Sequence, residues 1–153
     1  MAIGADRSSD LFIDGALRPG RAGRFATVNP ATEEVLGTAA NADRADMDDA
    51  IAAARRAFDA GDWAGDTELR VRCIRQLRDA LRANIEDVRA ITIAEAGAPR
   101  LLTAAAQLEG PVGDLNFSAD TAETYSWRTD LGVAAPMGIK TDRVVVREPV
   151  GVV

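Results

Sequence analysis

Three observations predict an α/β chain. Short apolar runs punctuated by Gly, Pro and Asn fill the first forty residues; apolar residues then recur every third or fourth position; valine-rich runs return after Ser126. The expected order is a small N-terminal β-meander, a helical stretch and a closing strand pair.

The meander is read as three strands. Leu11-Phe12-Ile13 runs into Asp14-Gly15, a strong hairpin-turn signal. Arg18-Pro19-Gly20 and Gly23 continue as turn material. Phe25-Ala26-Thr27-Val28 is the second strand, followed by the turn Asn29-Pro30-Ala31-Thr32, and Val35-Leu36-Gly37-Thr38-Ala39 is the third.

The period then changes. Asp43 is placed to cap a helix, with Asp46 three residues on as a capping-box partner, and Met47, Ile51, Ala54 and Phe58 lie on one face up to Gly61. A second helix opens at Asp66-Thr67-Glu68. Val71, Ile74, Leu77, Leu81, Ile85, Val88 and Ile91 continue its stripe, long enough for two helices with Asn84 capping the second. Gly97 and Pro99 end it. A third helical region is expected from Pro99 to Tyr125, kinked or broken at Gly110-Pro111, because Pro111 lacks an N–H and crowds the preceding turn. Trp127 to Val133 and Arg143 to Val146 read as strands joined by a Pro136/Gly138 loop.

Composition narrows function. The apolar fraction is 47%, but thirty of the 153 residues are Ala and only 5% are aromatic, so the core is expected to be thin and to lean on a neighbouring element or chain. A net charge of −6, with arginines interleaved among acids, argues against nucleic-acid binding. No apolar run approaches a membrane span and no secretory leader is evident, so a cytoplasmic protein is expected. With no His, imidazole bases and most zinc sites are excluded from this segment, and one Cys permits no internal disulfide.

Few residues suggest chemistry. Cys73 lies between Val71 and Ile74 without a His partner and reads as a small core residue. Asp46, Asp48 and Asp49 read as a helix start rather than a cation site. No glycine-rich loop for phosphate is present. Trp63 and Trp127 read as packing anchors. The segment Arg143-Val144-Val145-Val146-Arg147 is either an interior strand or a strand at a subunit boundary, and the boundary reading is favoured because little else in the chain could cover it. Arg147-Glu148-Pro149-Val150-Gly151-Val152-Val153 reads as a buried strand starting, which suggests the front part of a larger protein.

Several of these pieces, in order, resemble the amino-terminal part of NAD(P)-dependent aldehyde dehydrogenases. They are Leu11 to Gly15, Phe25 to Val35 with its Asn-Pro-Ala-Thr, Ala50 to Phe58, Glu95-Ala96-Gly97-Ala98-Pro99, and the final Arg-Glu-Pro-Val-Gly-Val-Val. The resemblance implies a truncated aldehyde dehydrogenase-like fold. Residues 1–125 would be the N-terminal part of a Rossmann-like cofactor-binding domain, 126–146 the strands of an oligomerisation β-hairpin, and 147–153 a strand re-entering the cofactor domain. It also implies that the full-length enzyme oxidises an aldehyde to an acid with NAD or NADP through a Cys thiohemiacetal. The family's catalytic and cofactor residues lie downstream, so none carries over to this chain and Cys73 does not match the nucleophile. A homodimer or homotetramer is implied, with Arg143 to Arg147 at the interface. A monovalent cation is implied near Thr27, Val28 and Glu109. Glu33 departs from the family by replacing a turn Gly, Ala98 by replacing a common Lys, and Pro111 by interrupting a helix. The alternatives are a non-catalytic short oligomerisation partner and an unrelated stand-alone α/β binding domain.

Overall fold

The computed structural model describes residues 9–153, and the elements follow the expected order of strands, helices and strands. β1 (Leu11–Ile13) and β2 (Ala16–Arg18) form an antiparallel hairpin in which Phe12 faces Leu17. Its turn residues Asp14 and Gly15 both have positive φ, 56° and 78°, as a two-residue primed turn requires. β3 (Arg24–Val28) and β4 (Val35–Ala40) form a second hairpin, with a bulge between Thr27 and Val28. A single parallel bridge joins Ser9 to Ala39.

The expected three-stranded meander is therefore two separate hairpins. The loop between β2 and β3 spends its backbone groups elsewhere. Ala22 N–H donates to the Asn41 carbonyl at 3.0 Å, Asn41 N–H to the Gly23 carbonyl at 2.8 Å, and Arg21 N–H to Asp46 at 2.9 Å. Those groups are therefore not free to continue a ladder from β2 into β3.

α1 (Arg44–Ala60) begins at the expected capping box: Asp43 accepts from Asp46 N–H, and the Asp46 carboxylate accepts from Asp43 N–H. A short 3-10 turn, Asp62–Ala64, leads to α2 (Thr67–Ala83), capped by Asp66. α3 (Ile85–Ala96) ends at Gly97, whose φ of 64° closes the helix in the left-handed region. The stripe is indeed two helices, but Asn84 serves the first of them. Its Nδ2 donates to the Ala80 carbonyl at 2.8 Å, near the end of α2, and its side chain does not cap α3.

The break in the third helical region lies upstream of the expected one. α4 (Arg100–Thr103) stops after one turn, and α5 (Glu109–Thr124) restarts at Glu109. Pro111 thus falls in the first turn of α5, where its missing N–H has no intrahelical acceptor to lose. α2 and α5 are the principal helix pair. Val71 of α2 and Ala119 of α5 are buried between them, while Arg75 reaches Asp120 at 3.0 Å and Glu123 at 2.8 Å along the rim.

β5 (Arg128–Ala134) and β6 (Thr141–Val146) form the third hairpin, with a bulge between Asp130 and Gly132. Arg147 N–H extends that ladder to the Trp127 carbonyl at 2.9 Å. Beyond it the expected strand over 147–153 does not form. No described strand pairs with this segment, and Gly151 turns with φ 99° beside Arg55 and Phe58.

The core is thin, as the alanine content predicts. Among the described residues the buried apolar side chains are Ala40, Ala53, Ala94, Ala98, Ala119, Val71, Val112 and Leu108, so five of eight are alanine. Phe12, Leu17, Leu101 and Phe117 are exposed. The molecule therefore presents more open apolar surface than a self-sufficient domain of this size usually does.

Candidate functional site

One enclosed polar cluster is centred on Arg89. It lies on α3 one helical turn from Ile85 and one from Ile93, an inward position at which the sequence alone suggests a hydrophobe. The residue is 5% exposed. Its Nε donates to Glu86 Oε1 at 3.1 Å and its Nη1 to Thr103 Oγ1 at 2.9 Å, while Nη2 is bonded to Glu109 Oε1. Thr103, fully buried at the end of α4, passes its own hydroxyl hydrogen to the Arg100 carbonyl at 2.7 Å. One guanidinium thus ties α3, α4 and the start of α5. The Glu109 carboxylate first, and Glu86 after it, hold the Arg89 guanidinium even further above its ordinary value, against the opposing effect of burial. Sequence reading did not single out Arg89. The available signal was an arginine one helical turn from Ile85 and one from Ile93.

The residues suggested for a monovalent cation are placed as follows. Thr27 and Val28 flank the bulge of β3, and the Thr27 hydroxyl is buried without a hydrogen-bond partner. Glu109 opens α5 with its carboxylate engaged by Arg89. Among the described residues no group of three or more His, Cys, Asp or Glu side chains is arranged to hold a metal.

Asp46 is the other buried charge, 2% exposed. It accepts from Arg21 N–H and from Arg21 Nη1, each at 2.9 Å, and from Asp43 N–H at 3.1 Å. The Arg21 backbone N–H, then that of Asp43 and the Arg21 charge, pull its carboxyl below the ordinary range, against burial. Asp49 is lowered chiefly by the Arg21 side chain, 2.8 Å away. The acidic cluster is a latch for the loop before β3. Cys73 is half-buried on α2, as expected of a packing residue.

Trp63 and Trp127 flank an open cleft of about 400 Å³ that also includes Arg70 and Arg147. Arg70 donates to the Trp63 carbonyl at 2.5 Å and lies over the Trp127 ring at 5.5 Å. Trp127 packs on Tyr125 with ring centres 4.8 Å apart, and Arg147 covers Tyr125 at 5.5 Å. The alternating rings and guanidinium groups fasten the base of the β5–β6 hairpin to α2. Further out the hairpin is bare: Val133, Met137, Ile139 and Val146 are exposed, and Val144 and Val145 are half-buried on β6.

A dinucleotide needs free backbone N–H groups at a strand-to-helix turn for its pyrophosphate. Among the described residues one α-helix directly follows a strand, α1 after β4. Its N-terminus is filled by the Asp43 and Asp46 carboxylates, which would repel phosphate. The α1 N-terminus is therefore not a pyrophosphate site.

The profile of the aldehyde dehydrogenase family matches residues 18–153. Aminoacetaldehyde dehydrogenase from Pseudomonas aeruginosa is 32% identical over 155 aligned positions, covering 100% of this chain and 30% of that protein. Aldehyde dehydrogenase 1 from Tanacetum cinerariifolium is 31% identical, with 94% of this chain and 28% of that protein covered. Among solved structures, an aldehyde dehydrogenase of Mycobacterium tuberculosis complexed with NAD+ superposes with a TM-score of 0.80 at 28% identity, covering 93% of this chain and 29% of that one. The chain therefore spans about three-tenths of the length of these relatives and matches their amino-terminal part. The α/β architecture expected from sequence is shared with them over this segment. By its sequence and its fold, the chain belongs to the aldehyde dehydrogenase family.

Proposed function

We propose that the full-length protein carrying this segment is a cytoplasmic homodimer or homotetramer that oxidises an aldehyde to a carboxylic acid with NAD+ or NADP+. The observation that carries this reading is the family match over residues 18–153 together with an aldehyde dehydrogenase superposition at a TM-score of 0.80. When bound, the cofactor accepts a hydride from the substrate carbon. This segment supplies scaffold and an interface.

Residues 11–125 hold the helices and two hairpins that frame the cofactor-binding domain, and residues 126–146 form the subunit contact. Support for the contact is physical. A lone two-stranded ladder is only marginally stable and leaves two free edges. The β5–β6 hairpin has both, and it carries exposed Val133, Ile139 and Val146. Pairing of the Arg143 to Arg147 edge with another subunit would satisfy one of those edges, with Arg147 also lying over Tyr125 at the hairpin base.

The test is NAD(P)H formation by the full-length chain over a panel of aldehydes, run beside the 153-residue segment. Turnover by the former and none by the latter is expected. Robust turnover by the segment alone would overturn the reading, as would a full-length chain inert toward every aldehyde.

A further inference from the structure

We propose that Arg89 is the resident counter-charge of Glu109, and that the place where a monovalent metal ion would meet this carboxylate takes none. This inference concerns charge at one place and is independent of whether the protein oxidises aldehydes.

A hard cation is held by carboxylate, carbonyl and water oxygens, and a site that joins it to a carboxylate draws on surplus negative charge. Around Glu109 there is no surplus. The cleft beside it, about 200 Å³, is lined by Arg82, Ile85, Glu86, Arg89, Glu109 and Val112, two guanidinium groups against two carboxylates. Glu86 is engaged on both oxygens, by Arg89 at 3.1 Å and by Arg100 at 3.4 Å. Glu109 is bonded to Arg89. The other candidate positions, Thr27 and Val28, could add only neutral oxygens, their carbonyls and the Thr27 hydroxyl.

Arg89 is also a poor group to displace. A guanidinium does not lose its proton at any ordinary pH, and its planar fork is here divided among three acceptors on three elements. A metal ion taking its place at Glu109 would strand a charge that is 5% exposed, with only Glu86 and Thr103 left to it. The same group that excludes the ion does the ion's structural work. It anchors the first turn of α5 to α3 and, through Thr103, fixes the one-turn α4 between them.

The experiment is thermal unfolding of the full-length protein in potassium, sodium and tetramethylammonium chloride at equal ionic strength. Equal midpoints in the three salts are expected for the unaltered protein. Arg89→Met, which uncovers the Glu109 carboxylate while keeping an apolar stem, is expected to melt lower and to gain a preference for potassium or sodium over the organic ion. A saturable stabilisation of the unaltered protein by potassium or sodium, abolished by Glu109→Gln, would overturn the proposal. Should Arg89→Met fail to fold, sodium NMR of the unaltered protein decides. No line broadening displaceable by potassium is the expected result. Displaceable broadening that disappears in Glu109→Gln overturns it.

Discussion

Pro30 Cγ lies 3.0 Å from the point where a Cβ on Gly97 would stand. The Asn-Pro-Ala-Thr turn between β3 and β4 therefore rests directly on the C-terminus of α3. Gly97 is constrained twice, by its φ of 64° and by the proline ring above it. Two motifs far apart in the sequence meet at a point that admits no side chain.

Gly97→Ala is accordingly expected to destabilise the protein by more than the roughly 1 kcal/mol that a left-handed non-glycine residue costs, because Pro30 must also move. Denaturant titration of the full-length protein checks this. A midpoint unchanged from the parent would show that the turn does not rest on the helix end in solution.

Glu33 gives the opposite sign. Its φ is 60°, and its N–H donates to the Asn29 carbonyl at 2.8 Å, which closes the turn in a conformation that suits glycine. Glu33→Gly is expected to stabilise the protein by about 1 kcal/mol, with the hydrogen bond kept. A lower unfolding midpoint would show that the Glu33 side chain contributes more than its backbone strain costs.

Asp46 sets an acid limit. Its folded-state carboxyl lies below the ordinary range, through the Arg21 N–H first and then the Asp43 N–H and the Arg21 charge. A depressed carboxyl contributes stability that is fully present above the unfolded value of about 3.9 and lost as pH falls through the folded value. Thermal midpoints should therefore fall more steeply below about pH 4 in the parent than in Asp46→Asn. Asp46→Asn should melt lower at neutral pH, since an amide cannot pair with Arg21. Parallel acid limbs for the two proteins would rule out this linkage.

The bare hairpin makes a prediction about assembly. Val146 is exposed on β6, opposite Arg128 in the ladder. If that edge is the subunit contact, Val146→Asp would place a charge in it, and light scattering should report a smaller assembly with the monomer still folded. An unchanged mass would remove the Arg143 to Arg147 segment from the interface.

Much of this was legible from sequence because it is local. Capping-box carboxylates, the Asp14-Gly15 turn, a helix-ending glycine and runs of valine each act within a few residues, through backbone hydrogen bonds and allowed dihedrals. The sequence by itself therefore determined the order of elements, the cap at Asp43, the stop at Gly97, the hairpin after Ser126 and the poverty of the alanine core.

Tertiary structure decided the rest. Whether β2 continued into β3 depended on Asn41 and Asp46 claiming the intervening backbone, which no local pattern announces. The start of α5 depended on Arg89 reaching Glu109 across from another helix. Residues 147–153 carry strand-like side chains, yet a strand exists only where another supplies its ladder. In sequence, Arg89 is an arginine with an isoleucine one helical turn to either side. Only the arrival of Glu86, Thr103 and Glu109 around one guanidinium turns it into the pin between three helices, because a buried charge is tolerated only when its partners converge in space.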